Sequence, residues 1–80
     1  MNERIRIGQR IREIRQNNSI SQEILAEMTG LKQANIARIE SGRYSTGLDI
    51  LAKIATALGC DIDFVEKENI NNKLRIGGNV

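Results

Sequence analysis

Histidine, proline and tryptophan are absent from this 80-residue chain, cysteine occurs once, at Cys60, and the only aromatic residues are Tyr44 and Phe64. With no histidine and one cysteine, the chain cannot assemble a His- or Cys-based zinc site, a Ser-His or Cys-His nucleophile, or an intramolecular disulfide. The near absence of cysteine fits a reducing, cytosolic setting. No apolar run approaches the roughly 20 residues that span a bilayer, and the opening MNERIRIGQR carries charges where a signal peptide needs its apolar segment. The expectation is a protein that stays in the cytoplasm and has no membrane partner. Hydrophobic residues at 40% and charged residues at 28% describe one soluble, mostly helical domain rather than a disordered chain.

The formal net charge is only +2, but it is unevenly spread. Residues 1–18 hold Arg4, Arg6, Arg10, Arg12 and Arg15 against Glu3 and Glu13, whereas residues 61–80 are net negative. Positive charge at the front is either a solvated helix face or the footprint of a polyanion, and composition alone does not separate the two.

Ile7, Ile11 and Ile14 recur at helical spacing and predict a first helix from about Glu3 to Gln16. Ser21 is placed to cap a second, short helix, with Ile20 and Leu25 as its hydrophobic staple. Gly30 can close that helix in the left-handed conformation, and a third helix carrying Ile36 and Ile39 ends near Gly42. After a loop to Gly47, Leu48, Leu51, Ile54, Ala55 and Leu58 predict a fourth helix closed by Gly59. Residues 61–66 then alternate polar with apolar at period two, which reads as a β-strand. A lone strand needs a partner, so Ile62, Phe64 and Val65 are expected to dimerise by strand exchange with a second copy. A short helix packing Phe64 on the core is the alternative. The domain therefore covers residues 1–66, and residues 67–80 are expected to form a flexible tail.

Within SQEILAEMTGLKQANIARIESGR, a small residue (Ala26), a turn glycine (Gly30) and two apolar anchors (Ile36, Ile39) meet the needs of two helices crossing steeply after a short turn. At about 100° per residue, Gln33, Ala34, Ala37 and Arg38 fill an arc of roughly 140° on the side opposite the anchors. Small residues flanked by Gln and Arg suit a DNA groove: alanine permits close approach, Gln can pair with adenine N6/N7, and Arg with guanine O6/N7.

Over Ile5 to Leu58 the chain resembles the phage-repressor-like (Cro/repressor, xenobiotic-response-element) helix-turn-helix regulators. The resemblance lies in Gly8-x-Arg10-Ile11-x-x-x-Arg15, Ser21-Gln22-x-x-Leu25-Ala26, Gly30, Ile36-x-x-Ile39-Glu40-x-Gly42-Arg43 and Leu48-x-x-Leu51-x-x-Ile54-Ala55-x-x-Leu58-Gly59. It implies a mainly α, compact four- to five-helix domain. In such a domain a third helix, about residues 32–41, enters the major groove of a palindromic operator bound by a homodimer. The function implied is that of a sequence-specific transcriptional regulator of prokaryotic or phage type, most simply a repressor, located in the cytoplasm on the nucleoid. By position, the resemblance makes Gln22 a phosphate contact that also braces Gln33, and it makes Gln33, Ala34 and Arg38 base-reading residues alongside Ala37. Asn35 and Arg43 become phosphate contacts, and Arg10 and Glu40 a structural ion pair in which Arg10 can also face the DNA backbone.

Three positions depart from the family pattern. Lys32 replaces a Ser or Thr cap and could reach a phosphate or guanine instead. Ile24 replaces an acidic residue and needs a cover. Thr46-Gly47 replaces Pro-Ser before the fourth helix and should loosen the loop. An enzyme is not expected, nor is a metal or another cofactor: no His, metal cluster or phosphate-cradling glycine loop is present. The competing function is an antitoxin-type interaction module that binds a toxin and represses its own operon, with Ile24, the strand and the tail as its surfaces. A restriction–modification controller is a third, related possibility.

Overall fold

The computed structural model describes residues 2–67, and the tail expected over residues 67–80 lies, apart from Lys67, outside the described residues. Four helices follow one another: α1 (Glu3–Asn17), α2 (Gln22–Thr29), α3 (Gln33–Glu40) and α4 (Leu48–Ala57). Their ends obey local chemistry. The side chain of Asn2 accepts from the Arg4 N–H at 2.7 Å, and Ser21 Oγ accepts from the Ile24 N–H at 3.0 Å, so α1 and α2 each satisfy an otherwise orphaned donor. Gly30 ends α2 at φ 73°, the left-handed conformation that glycine adopts without strain. Lys32 precedes α3 with no side-chain cap bond, as its lack of an acceptor requires.

Leu25, Ile36, Ile39, Ile54 and Ile11 form the buried core, and Ile7, Ile20, Leu31, Ile50, Leu51 and Leu58 pack around it. Each fully buried aliphatic side chain contributes about 2 kcal/mol. Helix α3 packs on both α1 and α2, and α2 also rests on α4. The helix that carries the candidate base-reading residues is thus gripped from two sides. Helix α1 crosses the C-terminal end of α3 at Gly8, where a Cβ would sit 2.6 Å from the Glu40 carbonyl oxygen. Only a residue without a side chain permits that approach.

After α4, residues 60–67 adopt neither helix nor strand. Ile62 is 43% exposed, Phe64 97% and Val65 87%. The expected strand is not formed, because among the described residues no neighbouring segment offers it a ladder of backbone hydrogen bonds. The alternative of a short helix folding Phe64 onto the core is not formed either.

Candidate nucleic-acid interface

Helix α3 buries Ile36, Ile39 and Glu40 and turns its other side to solvent. Gln33, Ala34 and Arg38 are exposed there, while Asn35 and Ala37 are half-buried at the margins. Arg38 Nη1 donates to Asn35 Oδ1 at 3.3 Å, which tethers the guanidinium along the helix without exhausting its donors. Lys32 stands exposed at the helix entrance and Arg43 just beyond its exit. The Arg43 N–H donates to the Arg38 carbonyl at 3.1 Å. Lys32, Gln33, Ala34, Arg38 and Arg43 therefore lie along one short stretch of backbone, with the Gln33 amide and the Arg38 guanidinium between two cations. The free N–H groups at the start of α3 add a favourable end for an anion.

The turn that sets the angle between α2 and α3 is pinned from inside. Thr29, which is buried, donates its hydroxyl to the Leu25 carbonyl at 2.7 Å, and its oxygen accepts from the Leu31 N–H at 3.4 Å. Its position next to the turn glycine was the available signal for this role, and sequence reasoning passed over it.

Behind this surface is a buried cluster of polar side chains around Glu40, which is 2% exposed. Arg15 donates from Nε to Glu40 Oε2 at 2.6 Å and from Nη2 to Oε1 at 2.9 Å, a bidentate pair. Its third nitrogen, Nη1, reaches the Ile20 carbonyl at 2.9 Å. Gln22 Nε2 and Arg12 Nε donate to Glu40 Oε1 at 3.1 and 3.3 Å. Glu40 thus ties α1 and the first turn of α2 to the last turn of α3, and Arg15 adds the loop before α2. Desolvation, the strongest single influence on Glu40, pushes its pKa up. The bonds from Arg15 and Gln22, with the charge of Arg15, outweigh that and hold it below its ordinary value. The same partnership raises the pKa of Arg15.

This cluster corrects two expectations. The ion pair assigned to Arg10 and Glu40 is formed instead by Arg15 and Glu40. Arg10 is exposed and bonds to Glu13 on its own helix, because at about 100° per residue it stands roughly 140° around α1 from Arg15. Gln22 does not brace Gln33; its amide is taken by Glu40. The sequence signal for Arg15 was its phase: with Gly8 and Ile11 it makes up the buried stripe of α1, and an arginine in register with such a stripe needs a buried anion.

Residues 11–65 match the helix-turn-helix family. Over 62 residues the chain is 37% identical to the immunity repressor protein of Bacillus phage phi105, covering 78% of this chain and 43% of the repressor. It therefore spans less than half the length of that relative. An uncharacterised HTH-type transcriptional regulator of Methanothermobacter thermautotrophicus is 45% identical over 49 residues, covering 61% of this chain and 71% of the regulator. Among solved structures, the restriction-modification controller protein C.AhdI from Aeromonas hydrophila superposes with a TM-score of 0.73 at 34% identity, over 76% of this chain and 92% of that one.

Proposed function

Because the chain belongs to the helix-turn-helix family, we propose that it is a sequence-specific DNA-binding repressor that lays α3 into the major groove of a palindromic operator as a homodimer. The carrying observation is the exposed face of Gln33, Ala34 and Arg38 on a helix whose other side is locked to α1 and α2. Rigid placement on secondary structure is what base readout requires, since a misplaced bidentate group loses its discrimination. In this reading Lys32, Asn35, Arg43 and Gln22 hold the phosphates, and Gln33, Ala34, Ala37 and Arg38 face the bases. No reaction is catalysed and no cofactor is used. The protein works in the cytoplasm, where its DNA is.

Replacing Arg38 with alanine is expected to cost about 1–3 kcal/mol of specific affinity and to relax preference at one base pair of each half-site. Gel-shift titrations on operator and random duplexes check this. Equal losses on both would refute a base-reading role for Arg38.

Dimerisation in this reading uses Ile62, Phe64 and Val65, which are exposed and apolar in the single chain. A strand pairing with its copy would satisfy the backbone groups and cover these side chains together. Phe64→Glu in the full-length protein is expected to give a monomer by light scattering with an unchanged far-ultraviolet circular dichroism spectrum. A dimer surviving this change would remove the segment from the interface.

The likeness to C.AhdI in fold, over 92% of that chain, favours a second reading, a controller of a restriction–modification operon, which uses the same DNA face. An endonuclease gene beside this one would select it. A toxin gene in that place would select the antitoxin-type module.

A further inference from the structure

We propose that Arg12 is a ligand for a DNA backbone phosphate, held in readiness by Glu40; the inference rests on the DNA-binding reading above. It begins with which α1 arginines have their charge cancelled. Of the five, Arg4 is exposed and makes no ion pair among the described residues, but it stands at the far N-terminal end of α1, away from Gln22. Arg6 is paired with Glu3 and Arg10 with Glu13, each on its own turn, and Arg15 takes both oxygens of Glu40. Arg12 reaches the same carboxylate with Nε alone, at 3.3 Å. Two guanidinium groups share one negative charge, so the cluster has a surplus positive charge. That surplus is carried outward: the Arg12 side chain is 49% exposed, against 9% for Arg15.

The geometry leaves the two terminal NH2 groups of this half-exposed side chain without a hydrogen bond among the described residues while its Nε is anchored. A guanidinium bound through Nε keeps a planar pair of donors fit for a phosphate and loses less freedom on binding than an unrestrained one. Its neighbour is Gln22, whose amide donates to the same Glu40 oxygen at 3.1 Å. Arg12 and Gln22 therefore stand side by side at the start of α2, and a phosphate held by Gln22 would meet Arg12 as well. Arg10, the α1 arginine that the family resemblance puts forward for the backbone, has its charge answered by Glu13 and makes no bond to this cluster.

The test is equilibrium binding of the full-length protein to a random-sequence 30-base-pair duplex across a salt series, with Arg12→Ala and Arg12→Lys, and thermal unfolding of each. The expected result is an affinity loss of about 10-fold for Arg12→Ala at low salt and a salt slope shallower by about 0.9, one phosphate contact. Arg12→Lys should keep the wild-type slope, and random and operator DNA should lose equally. An unchanged slope for Arg12→Ala would overturn the proposal, and if its melting temperature also fell, Arg12 would be a brace for Glu40 only. A wild-type protein that does not bind the duplex would remove the DNA-binding reading and this proposal together.

Discussion

Replacing Glu40 with alanine is expected to cost about 3–5 kcal/mol of stability, because it strands the buried Arg15 charge without a counterion. Arg15 is 7% exposed and would keep only the Ile20 carbonyl as an acceptor. Small domains have about 5–15 kcal/mol in total, so the variant should melt at least about 12 °C lower, by the usual scaling of about 4–8 °C per kcal/mol for domains of this size. Removing the pair together is another matter: Arg15→Met with Glu40→Leu should be more stable than Glu40→Ala alone, since matched apolar replacements of buried ion pairs are often neutral. Thermal melts of the three proteins decide this. A Glu40→Ala protein within about 1 kcal/mol of wild type would show that Glu40 does not hold the helices together.

The same cluster sets a dependence on pH. The pKa of folded Glu40 is lowered from its ordinary 4.5, so its stabilising contribution is complete above that value and disappears as pH falls through the folded pKa. The stability difference between wild type and Glu40→Gln should therefore be constant near neutrality and shrink below about pH 4.5. Denaturant titrations at a series of pH values would reveal it. A difference that grows on acidification would mean that burial, rather than Arg15, governs this carboxyl.

Gly8→Ala carries the second large effect, and two contributions of opposite sign compete in it. Alanine favours a helix over glycine by about 1 kcal/mol. Against that, the new Cβ would press on the Ile39 and Glu40 carbonyl oxygens, the latter 2.6 Å away. Backbone atoms cannot rotate aside as a side-chain tip can, and overpacking of this kind costs about 1–3 kcal/mol or more. We expect a net loss of about 2 kcal/mol, read from urea midpoints. Separating α1 from the end of α3 also pulls Arg15 from Glu40, so Gly8→Ala and Glu40→Ala together should lose less than the two taken separately. A Gly8→Ala protein more stable than wild type would show that the two helices are not held this close.

How much of this was legible in the sequence depends on how local the physics is. The four helices, the Ser21 cap and the Gly30 terminator are decided within a few residues, and the structure has each of them near its expected place. The outward face of α3 was legible for the same reason, since Ile36 and Ile39 anchor the opposite side. The Glu40 cluster was not, because its donors come from positions 12, 15 and 22 and meet only through the crossing of α1 over α3. Family spacing nominated Arg10, whereas helical phase selects Arg15. Gly8 was visible as a motif position without a task, and its task is the same crossing. The alternation at 61–66 was real, yet a strand forms only with a partner ladder, and the described residues offer none.

The central claim is that the exposed face of α3 reads base pairs, and repeated selection of bound duplexes from a random pool tests it most directly. The account predicts convergence on two inverted half-sites centred about 10–10.5 base pairs apart, with one position per half-site loosened when Arg38 is replaced by alanine. A retained pool that stays random in sequence, with capture governed by salt alone, would contradict it.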